Sequence, residues 1–380
     1  MKTYDAIIAG AGLIGSAIAL ELARKGLRVA VFDPGPPGQE ASWASAGILS
    51  PAPENPGMIT AVPLAKESMA LYPDFIASVE EASGLPTGYR AKGTIEAHFS
   101  ANASERVSTV VALHRGLGLA AEALSSADAR HLEPALSEDV EAAILRPDEA
   151  SVDNRLLSLA LVEAASRAGA RFVTGAVESV ALDASGRCTG FAMRGEEIAA
   201  SVSIVAAGAF SARIAGVEKY APVVPAKGQM LSLRCAATRI ERVLWSENIY
   251  LVPRNDGRIL AGATVEHVGF DKAVTAQGVH QDLAGALELA PILASAQIEE
   301  SWAGLRPDTP DHLPILGATD VEGLLIATGH YRSGVLLTPV TAQLIARLVL
   351  GAPLGAEYQR FSPMRFLPAG QSAQASASTH

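Results

Sequence analysis

The sequence has two cysteines, no dense cluster of lysine and arginine, no apolar run long enough to span a bilayer and no internal repeat. Each absence narrows the function. Cys188 and Cys235 supply neither a disulfide framework nor a metal-binding quartet, which suits a reducing cytoplasm, and no metal is expected. With 30 basic against 40 acidic residues the formal charge is −10, a balance that disfavours a nucleic-acid surface and favours small substrates. The run from Ala6 to Leu20 behind Lys2 falls short of the roughly 20 residues of a membrane span. It holds three glycines and lacks a small-residue cleavage site in a following loop, so it reads as retained fold and not as a signal peptide. A soluble, cytoplasmic protein without a membrane span is expected.

What the chain does have is enough apolar material for large cores. Its 380 residues are 49% hydrophobic, with 34 glycines and 22 prolines, and could form two or three domains. The most informative stretch opens the sequence. Strand-like Asp5 to Ala9 leads into Gly10, Gly12 and Gly15, then a helix from Ser16 to Lys25, then a second apolar strand, Arg28 to Phe32, ending at Asp33. Gly10 permits a sharp turn, Gly12 lets the backbone approach a pyrophosphate, and Gly15 lets the helix sit close to the sheet. Leu13 and Ile14 complete the helix start, whose backbone donors favour an anion. Asp33 can accept hydrogen bonds from ribose hydroxyls and would repel a 2′-phosphate. The fingerprint implies a dinucleotide and leaves NAD and FAD both open.

The rest of the chain alternates. A helical stretch from Pro63 to Ser83 precedes a strand from Lys92 to Ala97; residues 101 to 140 look mostly helical, and a short strand runs from Ala142 to Arg146. Helix Arg155 to Ala168 is followed by strands Ala170 to Thr174, Ala176 to Leu182 and Val202 to Ala206, read as later members of one parallel sheet, the last ending in Ala207-Gly208-Ala209. From Val223 to Thr264 the pattern turns β-rich, with Asn255-Asp256-Gly257 as a hairpin turn. Helix Gln277 to Leu293, strand Gln297 to Leu305, strand Leu324 to Thr328 and helix Pro339 to Leu350 follow, and the tail 367–380 reads as disordered.

Six further segments carry a resemblance: Ala44-Ser45-Ala46-Gly47-Ile48-Leu49, Val152-Asp153-Asn154-Arg155-Leu156-Leu157, Lys227-Gly228-Gln229-Met230, Gly304-Leu305-Arg306-Pro307, Gly329-His330-Tyr331-Arg332-Ser333-Gly334-Val335-Leu336-Leu337, and Phe361-Ser362-Pro363-Met364-Arg365-Phe366. In these the chain resembles the D-amino-acid oxidase-like family of FAD-dependent oxidoreductases, and within it the bacterial glycine oxidases associated with thiamine synthesis. Asn154 stands where the family has proline, and Asp33 where it usually has glutamate. The resemblance implies an α/β fold: a Rossmann-like FAD-binding domain (1–85, 147–222 and 306–366) and a discontinuous substrate domain (86–146 and 223–305) with a mostly antiparallel β-sheet. It implies non-covalent FAD, since neither cysteine lies in the C-terminal part where related enzymes attach flavin. It also implies cofactor contacts at Gly10, Gly12, Leu13, Ile14, Gly15, Asp33, Ala44, Ser45, Ala46, Gly47, Val177, Ala207, Gly208, Gly329, Tyr331, Arg332, Ser333, Gly334 and Val335.

An amino-acid oxidase must fix a carboxylate and aim a Cα hydrogen at the flavin. Arg306 is expected to hold the carboxylate as a bidentate pair, Tyr250 to add a hydrogen bond, and Arg332, beside the flavin, to engage substrate amine or carboxylate. Hydride transfer needs no protein base if the amine is bound unprotonated. The expected reaction is oxidation of glycine or another small D- or secondary amino acid, with oxygen as acceptor and hydrogen peroxide, oxo acid and ammonia as products. Alternatives are a D-amino-acid dehydrogenase with another acceptor, an NAD-dependent dehydrogenase and a non-catalytic flavin subunit. Homo-oligomeric assembly is left open.

Overall fold

A computed structural model describes residues 4–236 and 239–368 and arranges them around two large β-sheets. In the first sheet the order is Ile315–Ala318, Leu324–Thr328, Glu196–Val205, Tyr4–Ala9, Val29–Asp33, Arg171–Thr174. All neighbours are parallel except the first pair. Residues Ala6 to Ala9 are at most 2% exposed because both faces of the sheet are covered, which is why this strand reads as an unbroken apolar run. One face packs on helices Leu13–Arg24, Val62–Ser83, Asn154–Arg167 and Thr338–Val349. The other packs on a second apolar cluster that includes Phe191 and Tyr220.

The second sheet runs Gln297–Asp308, Val224–Arg234, Arg258–Gly262, Tyr250–Pro253, Val243–Trp245, Thr94–His98, Ala142–Arg146, Glu122–Ser125. It is antiparallel except where Val243–Trp245 meets Thr94–His98. The hairpin at 254–257 forms as expected, with Gly257 at φ +87°. Helix Ala276–Leu289 covers one face over a core of Leu231, Leu233, Leu244 and Leu251. The other face looks toward residues 44–47 of the first lobe, through Met230, Val252, Leu260 and Ala46.

Several expectations change. The strand expected over 176–182 is Ser179–Leu182, and it is antiparallel to Cys188–Met193, which returns antiparallel to Glu196–Val205. The turn is Arg194-Gly195, both at positive φ (52° and 77°), a two-residue hairpin of the mirror-image kind that arginine does not advertise. Residues Glu122–Ser125 form an exposed edge strand within the stretch read as helical. The helix expected to reach Leu293 stops at Leu289, since Pro291 disfavours helical backbone at Ala290, which sits at φ −140°, ψ 85°. The strand expected to end at Leu305 continues to Asp308, so Arg306 lies within the sheet; Pro307 is tolerated because this strand is an edge. Of the tail, residues 369–380 lie outside the described part of the chain.

Candidate active site

A cavity of about 590 Å³ runs between the two lobes. At one end it is lined by Gly10, Gly12, Leu13, Ile14 and Asp33, where the first strand hands over to its helix. A Cβ on Gly12 would come 3.0 Å from the Ser42 hydroxyl, so the bare backbone is what leaves space there. The helix begins at Gly12 with no side-chain cap, and Asp33 closes the turn by accepting the N–H of Ala11 at 2.8 Å and of Gly35 at 3.0 Å. Burial pushes the Asp33 carboxyl up from its ordinary value, against the pull of these two bonds. Gly15 does not reach the cavity. It allows the helix to touch the turn, since its Cβ would lie 1.9 Å from the Gly10 carbonyl.

The middle of the cavity is bounded by Ala44, Ser45, Ala46 and Gly47. This segment is held from several sides. The Trp302 indole donates to the Ala44 carbonyl at 3.0 Å, and Gly304 leaves room for the Ala44 methyl. Asn154 donates to the carbonyls of Ser42 at 2.8 Å and Trp43 at 2.9 Å, an anchor that proline could not provide. The buried Arg254 donates to Ala46 at 2.9 Å and to the Asn154 side-chain oxygen at 2.8 Å. Desolvation lowers the Arg254 pKa to about 10 despite the Asp153 carboxylate beside it. Arg254 was invisible as a site residue in the sequence, because what it holds lies two hundred positions away.

The loop 329–335 supplies another wall through Tyr331, Arg332, Ser333, Gly334 and Val335. Tyr72 donates to the Val335 carbonyl at 2.6 Å and Ser68 to that of Leu336 at 2.6 Å, fixing the loop to the helix behind it. Gly329 (φ +70°) shapes the loop but does not line the cavity; its Cβ would strike the Thr309 methyl at 2.5 Å. His330 is buried against Thr341 (3.0 Å), and burial alone brings its pKa down to about 3. Val177, Ala207 and Gly208 line the cavity together with Arg213, whose guanidinium stacks 3.6 Å from the Phe270 ring centre.

Arg306, Tyr250 and Arg332 all line this cavity. Arg306 pairs in register with Ala226, and its Nη1 donates to the Thr264 carbonyl at 3.1 Å. Among the described residues no carboxylate lies within 4 Å of it, whereas Arg332 forms an ion pair with Glu54. The Tyr250 hydroxyl donates to the Met230 sulfur at 3.3 Å, and its ring meets Trp245 edge-on at 5.6 Å. Burial raises the Tyr250 pKa, with Arg306 and Arg332 opposing, so the phenol keeps its proton at neutral pH and remains a donor. The carboxylates along the cavity are all engaged: Asp33 by backbone N–H groups, Glu40 by Lys272 at 3.0 Å, Glu54 by Arg332.

The sequence pattern of the FAD dependent oxidoreductase family matches residues 5–348. The chain belongs to that family. It is similar to the Synechocystis bifunctional protein ThiO/ThiG, at 35% identity over 96% of this chain and 54% of that protein. The chain thus spans about half the length of these two-part relatives. It is also similar to the glycine oxidase of Geobacillus kaustophilus, at 36% identity over 91% of this chain and 93% of that protein. The crystal structure of the Geobacillus glycine oxidase superposes with a TM-score of 0.91, at 34% identity, covering 97% of this chain and 100% of the other. The family cofactor is FAD, and the cavity fits an extended dinucleotide: a Cβ-free turn at Gly10 and Gly12, an acid at Asp33, and an apolar, small-residue passage at 44–47. Among the described residues no helix is long and apolar enough to cross a membrane, and no group of three or more His, Cys, Asp or Glu could hold a metal ion.

Proposed function

We propose that this protein oxidises a small amino acid, glycine or a small secondary or D-amino acid, to the corresponding imine, using non-covalent FAD and oxygen. The observation that carries the reading is Arg306: a cavity-lining guanidinium with no carboxylate partner among the described residues, beside a protonated, half-buried Tyr250. FAD, when bound there, would supply the two-electron acceptor, with oxygen as the final acceptor reduced to hydrogen peroxide.

The protein's residues handle the rest. Arg306 holds the substrate carboxylate through paired N–H groups, and the Tyr250 hydroxyl turns from Met230 to donate a further bond. The Arg332–Glu54 pair bounds the same space. Since every lining carboxylate already has a partner, the residues favour an amine bound neutral, and the Cα–H leaves without a protein base. Fixing one end of a small substrate presents its Cα repeatedly in one orientation, which is where positioning contributes to rate. The imine then takes up water to give an oxo acid and ammonia, or an amine when the substrate nitrogen is substituted. The contacts at Gly10, Gly12, Leu13, Ile14, Gly15, Asp33, Ala44, Ser45, Ala46, Gly47, Val177, Ala207, Gly208, Gly329, Tyr331, Arg332, Ser333, Gly334 and Val335 are assigned to FAD, Gly15 and Gly329 acting by shaping the backbone. The division into an FAD domain and a substrate domain, a cytoplasmic setting and a role in thiamine synthesis belong to the same reading. The likeness to glycine oxidases and to the ThiO/ThiG protein supports it.

Purified holoenzyme supplied with glycine, sarcosine or D-alanine should consume oxygen and release peroxide in equal amounts. Reduction by these substrates without oxygen consumption would assign the protein to the dehydrogenases instead.

A further inference from the structure

Behind Arg306, on the opposite face of the second sheet, lies a polar cluster of buried Lys227, Gln229 and Thr264 around a half-buried Glu266, which the reaction as described does not use. The strand Val224–Arg234 presents Gly228 toward Arg306, so the pleat turns Lys227 and Gln229 to the other side, each 1% exposed. There Lys227 Nζ lies 3.2 Å from Glu266 Oε2. Glu266 Oε1 accepts from Gln229 Nε2 at 2.7 Å and from the Thr264 hydroxyl at 2.6 Å. The Thr264 hydroxyl in turn accepts the Gln229 backbone N–H at 3.0 Å, and Lys227 and Glu266 exchange two backbone hydrogen bonds of 2.9 Å. Gln229 is itself fixed by the Thr275 N–H at 2.8 Å, at the cap of helix Ala276–Leu289.

One segment, residues 264–266, joins this cluster to the cavity. Its carboxylate end is locked by Lys227 and Gln229, and its Thr264 carbonyl accepts from Arg306 Nη1 at 3.1 Å. That bond occupies one edge of the guanidinium and so determines which edge faces the substrate. We propose that Glu266, gripped by Lys227 and Gln229, is a positioning residue that orients Arg306 for the substrate carboxylate through the Thr264 carbonyl. The inference rests on Arg306 being the carboxylate anchor. It gives the Lys-Gly-Gln segment a two-sided role: glycine makes room for the guanidinium, and its neighbours clamp the segment that aims it. The hydrogen bonds from Thr264, Gln229 and Lys227 hold the Glu266 carboxyl below its ordinary pKa in spite of burial, so the clamp stays charged at neutral pH. A bidentate contact is intolerant of rotation, so small displacement of the fork is felt in substrate affinity.

The test uses FAD-loaded Glu266→Gln, which keeps the shape and removes the charge, and Thr264→Val, which leaves the Glu266–Lys227 pair in place. The probe is glycolate, a carboxylate without an amine, titrated by the flavin visible spectrum, alongside KM and kcat for the reducing amino acid. Glu266→Gln should raise the glycolate Kd and the amino-acid KM about tenfold, with a smaller fall in kcat, and Thr264→Val should act in the same direction. In an Arg306→Ala background Glu266→Gln should add no further loss, as expected for two residues acting through one contact. Unchanged glycolate binding in folded, FAD-loaded Glu266→Gln and Thr264→Val, while Arg306→Ala weakens it, overturns the positioning role alone. Unchanged binding in Arg306→Ala overturns the anchor assignment, and the inference with it.

Discussion

Gly228 stands directly against Arg306: a Cβ built on it would lie 2.4 Å from both terminal guanidinium nitrogens. The clash is with the far end of a flexible side chain, so Gly228→Ala should fold and load FAD while forcing Arg306 aside. The expected result is a raised KM for the amino acid with little change in melting temperature. Unaltered KM would mean that the guanidinium has another productive position.

Arg306→Ala should retain FAD and lose kcat/KM by about 10² to 10³, since a charge-assisted contact to a buried carboxylate carries roughly 3 to 4 kcal/mol. Steady-state kinetics beside the visible spectrum separates loss of anchoring from loss of cofactor. Activity like that of the native protein would remove Arg306 from the site.

Asp282 is 1% exposed on the helix behind the second sheet, and among the described residues neither of its oxygens has a hydrogen-bond partner. Desolvation pushes its pKa up to about 7, with Arg306 opposing and Glu266 adding to the rise. The folded state therefore favours the protonated form. Its contribution is fully present below the ordinary value of 3.8, fades as pH climbs, and is gone above about 7. Asp282→Asn, neutral at every pH, should match the native protein near pH 4 and exceed it above pH 7, by up to roughly 4 kcal/mol. Thermal unfolding of both across this range is the check; a difference independent of pH would contradict it.

Non-covalent attachment carries its own test. Cys188 and Cys235 are buried in apolar clusters and neither lines the cavity. Acid precipitation of the holoenzyme should release all the yellow colour to the supernatant, and colour left in the pellet would contradict this.

How much of this was legible in the sequence depended on how local the cause was. Gly10, Gly12, Gly15 and Asp33 act within one strand-turn-helix unit, and their spacing is itself the signal. The antiparallel excursion Ser179–Leu182, Cys188–Met193, Glu196–Val205 was hidden because its tight turn uses Arg194 at positive φ, and because the first of these strands is only partly buried. Arg306 and Tyr250 could be named from family motifs, but their environment comes from pairing across distant strands. Gly228 under Arg306, Glu54 on Arg332 and Arg254 beneath Ala46 are contacts between residues far apart in sequence. No periodicity encodes such contacts. Asn154 shows the reverse case: a departure from the expected proline that has a local purpose, holding the carbonyls of Ser42 and Trp43.

Whether an amino acid is oxidised by the bound flavin is decided by mixing the anaerobic holoenzyme with glycine, sarcosine and D- and L-amino acids in turn. Bleaching of the visible flavin absorbance by glycine or another small secondary or D-amino acid is expected, and its return on admitting oxygen with formation of peroxide. Flavin that stays oxidised with every one of these compounds would contradict it.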